Sequence, residues 1–492
     1  MKNKIITGAL TLALSMGFVS CGKEFLETKY YKGVDVETGL ASADNVNTAL
    51  TGVYYNLYTR YFAGNYATTI GDIPTDISYW NTKTGHWDDI YQFTVEETDS
   101  YLSYIWEYGY KIVDNSARII VACDNLYNDA TESDKQTLDA CRAEAYALRA
   151  YANLAMVNVF GHQIKVNGND FSSKPGIVIS ETPIPAFSEV KRATVGETYT
   201  MIVNDLNNAL KYFKAAGGDR GDKCYIGVAA TEGLLARTYL YMENWDAAIS
   251  SAEAALEDGG KPALAYTNAD YKALYNGGSS NTESFFYLDI NASQNWSANS
   301  CGTLWTSYNF SPSPKLLAMY GAKDVRNAIM GMDAKSSTAT VPVFAGGKFA
   351  SYGSGNPAHA TNYLVNAPEM YLIMAEGYIK KNDVANAQKA LLNVAKRNTS
   401  IATTDDLPAT ATELYAFLKD ERARELFQEG LRLYDLRRWG DPAQVEAYNA
   451  PQVLFRANNY NISEFVFPIP VDEINANFGV TQNEGWSDNL PK

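Results

Sequence analysis

Histidine is scarce in this 492-residue chain, with three copies at His86, His162 and His359. No two of them stand at the spacing of a zinc-binding pair, so a histidine-based zinc site is not expected. The sequence also lacks the G-x-S-x-G, P-loop, dinucleotide-binding, C-x-x-C and H-E-x-x-H motifs. The familiar signatures of hydrolases, nucleotide-binding enzymes and metalloproteases are therefore missing.

Basic residues are also in deficit, with 41 Lys and Arg against 56 Asp and Glu and a formal net charge of -15. An acidic surface repels phosphate backbones, so nucleic acid is not an expected partner. Beyond Cys21, the cysteines are few and far apart, which predicts free core thiols rather than a disulfide framework at Cys123, Cys141, Cys224 and Cys301.

The N-terminus carries the one long apolar run. Lys2 and Lys4 precede an apolar stretch over residues 5–19, and Cys21 follows Ser20. The stretch falls short of the about 20 residues that span a bilayer, but it fits a secretory signal. It resembles a bacterial lipoprotein signal, which implies removal of residues 1–20, lipidation of Cys21 and an outer-membrane anchor.

Helical periodicity dominates the rest of the chain. Apolar residues recur at steps of three and four over residues 43–57, 131–160 and 195–213. Residues 235–255 and 374–394 have the residue spacing of tetratricopeptide helix pairs. We therefore predict a mainly α fold built from such pairs.

About 120 residues separate the two pairs, and they are expected to form a second lobe. This lobe is rich in loops and contains few short strands, one of them predicted over residues 284–290. Its loops are rich in aromatic and short polar side chains.

The longest uninterrupted helical pattern runs over residues 413–442 and ends in Trp-Gly-Asp-Pro. Gly430 lies inside the apolar stripe, which predicts a close approach by another backbone. Gly440 is suited to a left-handed cap. By pattern alone, the charges on the flank form a solvated ladder of ion pairs: Glu421, Glu425, Glu429, Arg432, Asp435 and Arg438.

Within this stretch, the run ER..EL..EG.R..DLRRWG resembles the C-terminal signature of the SusD/RagB family, surface lipoproteins that capture nutrients. The closing PIP..EI..N....QN.G segment is also similar. The resemblance implies a SusD-like α-superhelix with a signal peptide at 1–20, an N-terminal region at 21–230 and a C-terminal region at 231–492. At Asn366 the chain departs from the family, which usually has an arginine there.

The family resemblance further implies a nutrient-binding protein at the outer membrane, facing the cell exterior. It would deliver an oligosaccharide to a SusC-like TonB-dependent transporter without catalysis or a cofactor. A metal is neither indicated nor ruled out by the sequence.

Candidate ligand contacts come from two loops over residues 74–91 and 291–310. The chain has 35 Tyr and 8 Trp against 19 Phe, and rings with a polar group suit the mixed apolar and hydroxyl faces of a sugar. We predict stacking platforms at Trp80, Trp87, Trp296 and Trp305. The predicted hydrogen-bonding partners are Asp76, Asn81, Asn295 and Tyr308.

Three alternatives remain open on the sequence. The same architecture could capture peptides or another nutrient, or the helix pairs could serve as a scaffold with protein partners alone. A surface glycosidase needs just two suitably spaced carboxylates, and Asp76, Asp88 and Asp89 lie in an aromatic loop.

Overall fold

The computed structural model describes residues 39–490 except 309, 339–340, 443–444, 448–449, 455–464, 478 and 489. The predicted signal peptide at 1–20 and the predicted lipidation site Cys21 lie outside the described residues. No helix in the described part of the chain is long and apolar enough to cross a membrane.

Helices make up most of the described structure. They are α1 Ala43–Tyr58, α2 Tyr66–Thr69, α3 Asp88–Gln92, α4 Ser100–Tyr127, α5 Glu132–Phe160, α6 Val195–Ala216, α7 Val228–Tyr241, α8 Trp245–Asp258, α9 Asn268–Ala273, α10 Cys301–Thr303, α11 Pro314–Met319, α12 Ala367–Lys380, α13 Val384–Ala395, α14 Ala411–Leu426, α15 Arg432–Trp439 and α16 Val471–Ala476. The predicted mainly α fold is confirmed.

The strands are short and form separate antiparallel pairs. They are β1 Ser78–Trp80, β2 Lys165–Val166, β3 Asn169–Asp170, β4 Ser284–Leu288, β5 Phe310–Pro312, β6 Asn362–Asn366, β7 Val445–Ala447 and β8 Ala450–Leu454. The pairs are β1 with β5, β2 with β3, β4 with β6, and β7 with β8. The strand predicted over residues 284–290 is confirmed as β4.

The long helices begin where short polar side chains can cap them. Thr131 accepts a hydrogen bond from the Asp134 backbone N–H at the start of α5. At the start of α6, Thr194 and Glu197 form a reciprocal capping box. Each cap satisfies backbone donors that have no partner within the helix, which stabilises the helix by about 1 kcal/mol.

The two predicted helix pairs are α7 with α8 and α12 with α13, and they are neighbours in space. Helix α8 packs against α12 although more than 100 residues separate them. At Gly377 in α12, a Cβ would lie 2.7 Å from a side-chain carbon of Ile249, so the small residue permits this close packing. The intervening segment leaves and rejoins the helices through the β4–β6 pair.

We define the signature segment as residues 411–439. Its backbone conformation contradicts one prediction and confirms two. The segment is two helices, α14 and α15, instead of one, because Gln428 and Gly430 adopt positive φ angles of 67° and 73°. Gly430 does meet another backbone, since a Cβ there would lie 2.1 Å from the carbonyl oxygen of Thr68. Gly440 caps α15 in the left-handed conformation, as predicted.

The charges of the signature segment are buried, so the prediction of a solvated ion ladder is wrong. Five of the six flank residues are at most 7% exposed. Arg397 donates to both Glu425 and Glu283, and Arg326 donates to Glu425, Glu421 and Asp324. Long-range partners from other segments neutralise these charges, which is what permits their burial.

Asn366, where the family resemblance led us to expect an arginine, still contacts a carboxylate. Its side-chain amide donates to Glu429 at 3.0 Å. Lys348 supplies the positive charge there, with its ammonium 2.6 Å from the same carboxylate. A lysine from a distant segment therefore neutralises Glu429.

Candidate functional site

The β1–β5 pair joins the two loops that the sequence analysis singled out. Trp80 pairs with Phe310 and Ser78 with Pro312 in antiparallel register. Two loops more than 200 residues apart in sequence therefore meet at this strand pair. We use the name loop face for six of their exposed or partly exposed side chains: Trp80, Lys83, His86, Trp296, Ser307 and Tyr308.

Two predicted hydrogen-bonding residues are buried and satisfied inside the protein. Asp76 is fully buried, and Arg432 grips its carboxylate with two hydrogen bonds of 2.8 Å. Burial opposes ionisation of Asp76, but Arg432 and Lys315 outweigh it and lower the pKa of that carboxyl. Asn81 is 4% exposed and donates to the carbonyl of Pro342. Neither side chain is presented to a ligand as the sequence analysis expected.

Two predicted stacking platforms are also buried. Trp87 is 2% exposed and stacks on Tyr101 with ring centroids 4.1 Å apart. Trp305 is 1% exposed and packs edge-on against Phe427, the residue after α14. Each indole anchors its loop to the core, because its large apolar surface is buried against a ring from another segment.

The remaining predicted residues are partly exposed. The indole of Trp80 donates to the Thr84 carbonyl, and the indole of Trp296 donates to the Tyr58 carbonyl. These hydrogen bonds fix the orientation of each ring. The Asn295 side chain donates to the backbone carbonyls of residues 291 and 292, so it shapes its own loop.

Tyr308 contacts His86 across the two loops, with ring centroids 4.9 Å apart. A cleft of about 350 Å³ lies beside them, and both loops contribute to its wall. Lysine, hydroxyl and carboxylate side chains line it together with apolar ones, including Lys83, Thr306, Ser307, Asp333 and Phe344. Such a mixture of ring faces and hydrogen-bonding groups suits a polyhydroxylated ligand.

A cluster of three tyrosines, which begins three residues after Tyr58, was not predicted from the sequence. Tyr61 stacks on Tyr104 with centroids 4.2 Å apart, and Tyr108 lies 4.9 Å from Tyr61. All three are partly exposed. The spacing of Tyr104 and Tyr108 in α4 and the excess of tyrosine were available signals, but helical spacing alone does not separate a surface cluster from a core stripe.

The described residues hold no group of three or more His, Cys, Asp or Glu side chains placed to bind a metal ion. The four described cysteines are free thiols, as predicted, and three of them lie in the core, whereas Cys224 is partly exposed. Burial raises the pKa of the Cys301 thiol to about 12, which keeps it protonated and unreactive at neutral pH.

The helical repeats with a loop-bearing lobe define the class, a protein with a tetratricopeptide-like fold. The sequence model of a family described as "SusD family" matches residues 351–486. A second, described as "Starch-binding associating with outer membrane", matches residues 24–240. The chain belongs to the SusD/RagB family, and the matched segments carry the signature segment and the first loop.

Solved structures show the same fold at low sequence identity. A SusD superfamily protein from Bacteroides thetaiotaomicron is 22% identical with a TM-score of 0.77, covering 90% of this chain and 99% of the other. A putative sugar binding protein from Bacteroides vulgatus is 23% identical with a TM-score of 0.78 and the same coverage. A search of the curated proteins found no match.

Proposed function

We propose that this protein binds an oligosaccharide on its loop face and associates with the outer membrane. The descriptions of the family, "Starch-binding associating with outer membrane", and of a similar structure, a putative sugar binding protein, support this assignment. The pairing of β1 with β5 carries it, because that pairing brings together the loops that bear the partly exposed Trp80 and Tyr308, and both loops contribute to the wall of a polar cleft.

The chemistry of the loop face fits a sugar better than an apolar ligand. Pyranose rings present C–H groups on one face and hydroxyls around the edge, so they pack on indole or phenol rings while polar side chains bind the hydroxyls. Trp80, Trp296 and Tyr308 supply rings, and Ser307 and Lys83 supply polar groups. Because the task is capture, no bond in the ligand needs to break.

The remaining parts of the proposal concern the anchor and the partner. Cys21 carries the lipid, and the protein delivers its ligand to a SusC-like TonB-dependent transporter from the exterior of the cell. Labelled palmitate should be lost in Cys21→Ala, and the protein should co-purify with a large outer-membrane barrel. A protein that stays unlabelled and is found in the cytosol would overturn this part.

Isothermal titration with a panel of oligosaccharides and peptides tests the binding function. We expect a glycan to bind and either Trp80→Ala or Trp296→Ala to weaken it about tenfold, because each variant removes a ring surface worth about 1 kcal/mol or more. Circular dichroism should show an unchanged fold.

Phe187→Ala is the matched control, because Phe187 is fully exposed and lies outside both loops. Its affinity should equal that of the wild type. Unchanged affinity in both tryptophan variants would remove the site assignment. Binding of peptides in place of glycans would identify the nutrient-capturing alternative.

A further inference from the structure

Arg60 is unusual among the arginines of this acidic chain. Most described arginines are ion-paired, and Arg192 and Arg437 donate to several backbone carbonyls. The Arg60 guanidinium has one hydrogen bond within the described structure, to the hydroxyl of Tyr61 at 2.8 Å. A guanidinium has five N–H donors, so most of its donors remain available to a ligand.

The tyrosine cluster holds this guanidinium in place. Arg60 lies over the ring of Tyr61, 4.7 Å from its centroid, and Tyr104 stacks on the same ring. The strongest side-chain interactions of Arg60 are with the phenols of Tyr61, Tyr66 and Tyr104. An arginine stacked on an aromatic ring keeps its N–H edge free and loses little entropy when it binds an anion.

The position of Arg60 links it to the loop face. It follows Tyr58 by two residues, and Trp296 packs on Tyr58 with ring centroids 5.4 Å apart. Two residues span at most about 7 Å, so an oligosaccharide of several sugars on Trp296 is long enough to extend to Arg60, which is partly exposed. Carboxylates and sulfates are the groups that match a guanidinium fork with two parallel hydrogen bonds.

We propose that Arg60, stacked on Tyr61, is an anion subsite that selects acidic oligosaccharides, whose uronate carboxylate or sulfate ester it binds. This inference rests on the proposed function and names its ligand class. The net charge of -15 disfavours an anion at long range. Physiological salt screens such repulsion beyond about 8 Å, whereas a direct ion pair persists.

The test is titration calorimetry with acidic oligosaccharides, each paired with a neutral form of the same backbone. Carboxyl reduction neutralises the uronates, and desulfation neutralises the sulfate esters, so the two arms distinguish the two anions. We expect the wild type to bind at least one acidic form about tenfold more tightly than its neutral counterpart. Arg60→Gln should abolish that preference and leave affinity for the neutral form within about twofold.

Two further variants complete the design. Arg60→Lys keeps the charge but loses the fork, and it should recover part of the preference. Arg118→Gln is the matched control, since Arg118 is ion-paired with Asp114 on α4, about 15 Å along the helix from Tyr108. It should keep the full preference.

The outcomes separate this inference from the proposed function. Equal binding of acidic and neutral forms by the wild type, or a preference that survives in Arg60→Gln, overturns the anion subsite and leaves glycan binding intact. No binding of any glycan overturns both.

Discussion

The signature segment and the loop face use charged and aromatic residues in opposite ways. In the signature segment, arginines and carboxylates are buried and paired, as Glu425 is with Arg397 and Arg326. On the loop face, the rings are partly exposed, and in the tyrosine cluster Arg60 lacks a carboxylate partner among the described residues. Ion pairs neutralise the buried charges of the signature segment, while Arg60, which we propose binds a ligand, keeps most of its N–H donors available.

This difference predicts that variants separate into two groups. Changes in the signature segment, or in Arg397 and Glu376, which pair with it, should lower the free energy of unfolding without changing the affinity of the folded protein for its ligand. Changes on the loop face should lower the affinity for the ligand without changing the free energy of unfolding. A single variant that strongly lowers both the free energy of unfolding and the ligand affinity would contradict this separation.

Arg397→Met should have the largest effect. Arg397 is fully buried, and its removal leaves Glu283 and Glu425 without their shared partner. An uncompensated buried charge costs about 3–5 kcal/mol of unfolding free energy, measured by urea denaturation. Arg118→Met removes an exposed ion pair and should cost less than about 1 kcal/mol. Equal losses in the two variants would contradict the role of the buried pairs.

Glu376→Gln should change how stability depends on pH. Burial opposes ionisation of Glu376, but two hydrogen bonds from Arg438 outweigh it and lower the pKa from 4.5 to about 2. The ionised group therefore stabilises the fold above pH 4.5, and this contribution is lost as the pH falls through about 2.

The wild type should accordingly lose about 3 kcal/mol more than Glu376→Gln between those two pH values. Urea denaturation at a series of pH values measures this difference. Glu132→Gln removes an exposed carboxylate and serves as the comparison. If the stability of the wild type and of Glu376→Gln changed in parallel with pH, ionisation of Glu376 would not contribute to stability.

Gly430→Ala should destabilise the fold by about 2–3 kcal/mol. The new methyl group would combine an unfavourable positive φ with a clash against the Thr68 carbonyl. Gly440→Ala is a close control, because φ is similar there but the nearest atom to an added Cβ is 3.8 Å away. It should cost about 1 kcal/mol, measured in the same way. Equal costs would show that backbone strain alone matters at Gly430.

The smallest changes in stability are expected for Arg60→Gln. Arg60 is partly exposed and makes one hydrogen bond in the described structure, so the free energy of unfolding should stay within about 0.5 kcal/mol of the wild type. A loss of several kcal/mol, measured by urea denaturation, would show that Arg60 stabilises the fold, as the buried arginines do.

Local patterns predicted the elements well but not their tertiary environments. The helices at 43–58 and 132–160, the strand β4 and the helix pairs all match their periodicity. The left-handed cap at Gly440 also follows from local chemistry. The break between α14 and α15 was missed because the helical pattern continues through residues that contact Thr68 and Asp72 from far away in sequence.

The candidate site shows the same limit. Both loops could be identified from their composition, yet Trp87 and Trp305 are anchors while Trp80 and Trp296 are partly exposed. Composition cannot assign these roles, because burial of a loop indole depends on which ring it meets across the fold. For Trp305 that ring is Phe427, more than 100 residues away.

The sequence by itself determined the helical elements, the repeat spacing, the acidic character and the family signature, since periodicity and residue order are local properties. Tertiary structure alone decided that the signature charges are buried, that two distant loops meet at β1 and β5, and that Tyr61 stacks on Tyr104. These outcomes depend on contacts between segments, and a side chain's burial and partners are fixed when those segments pack.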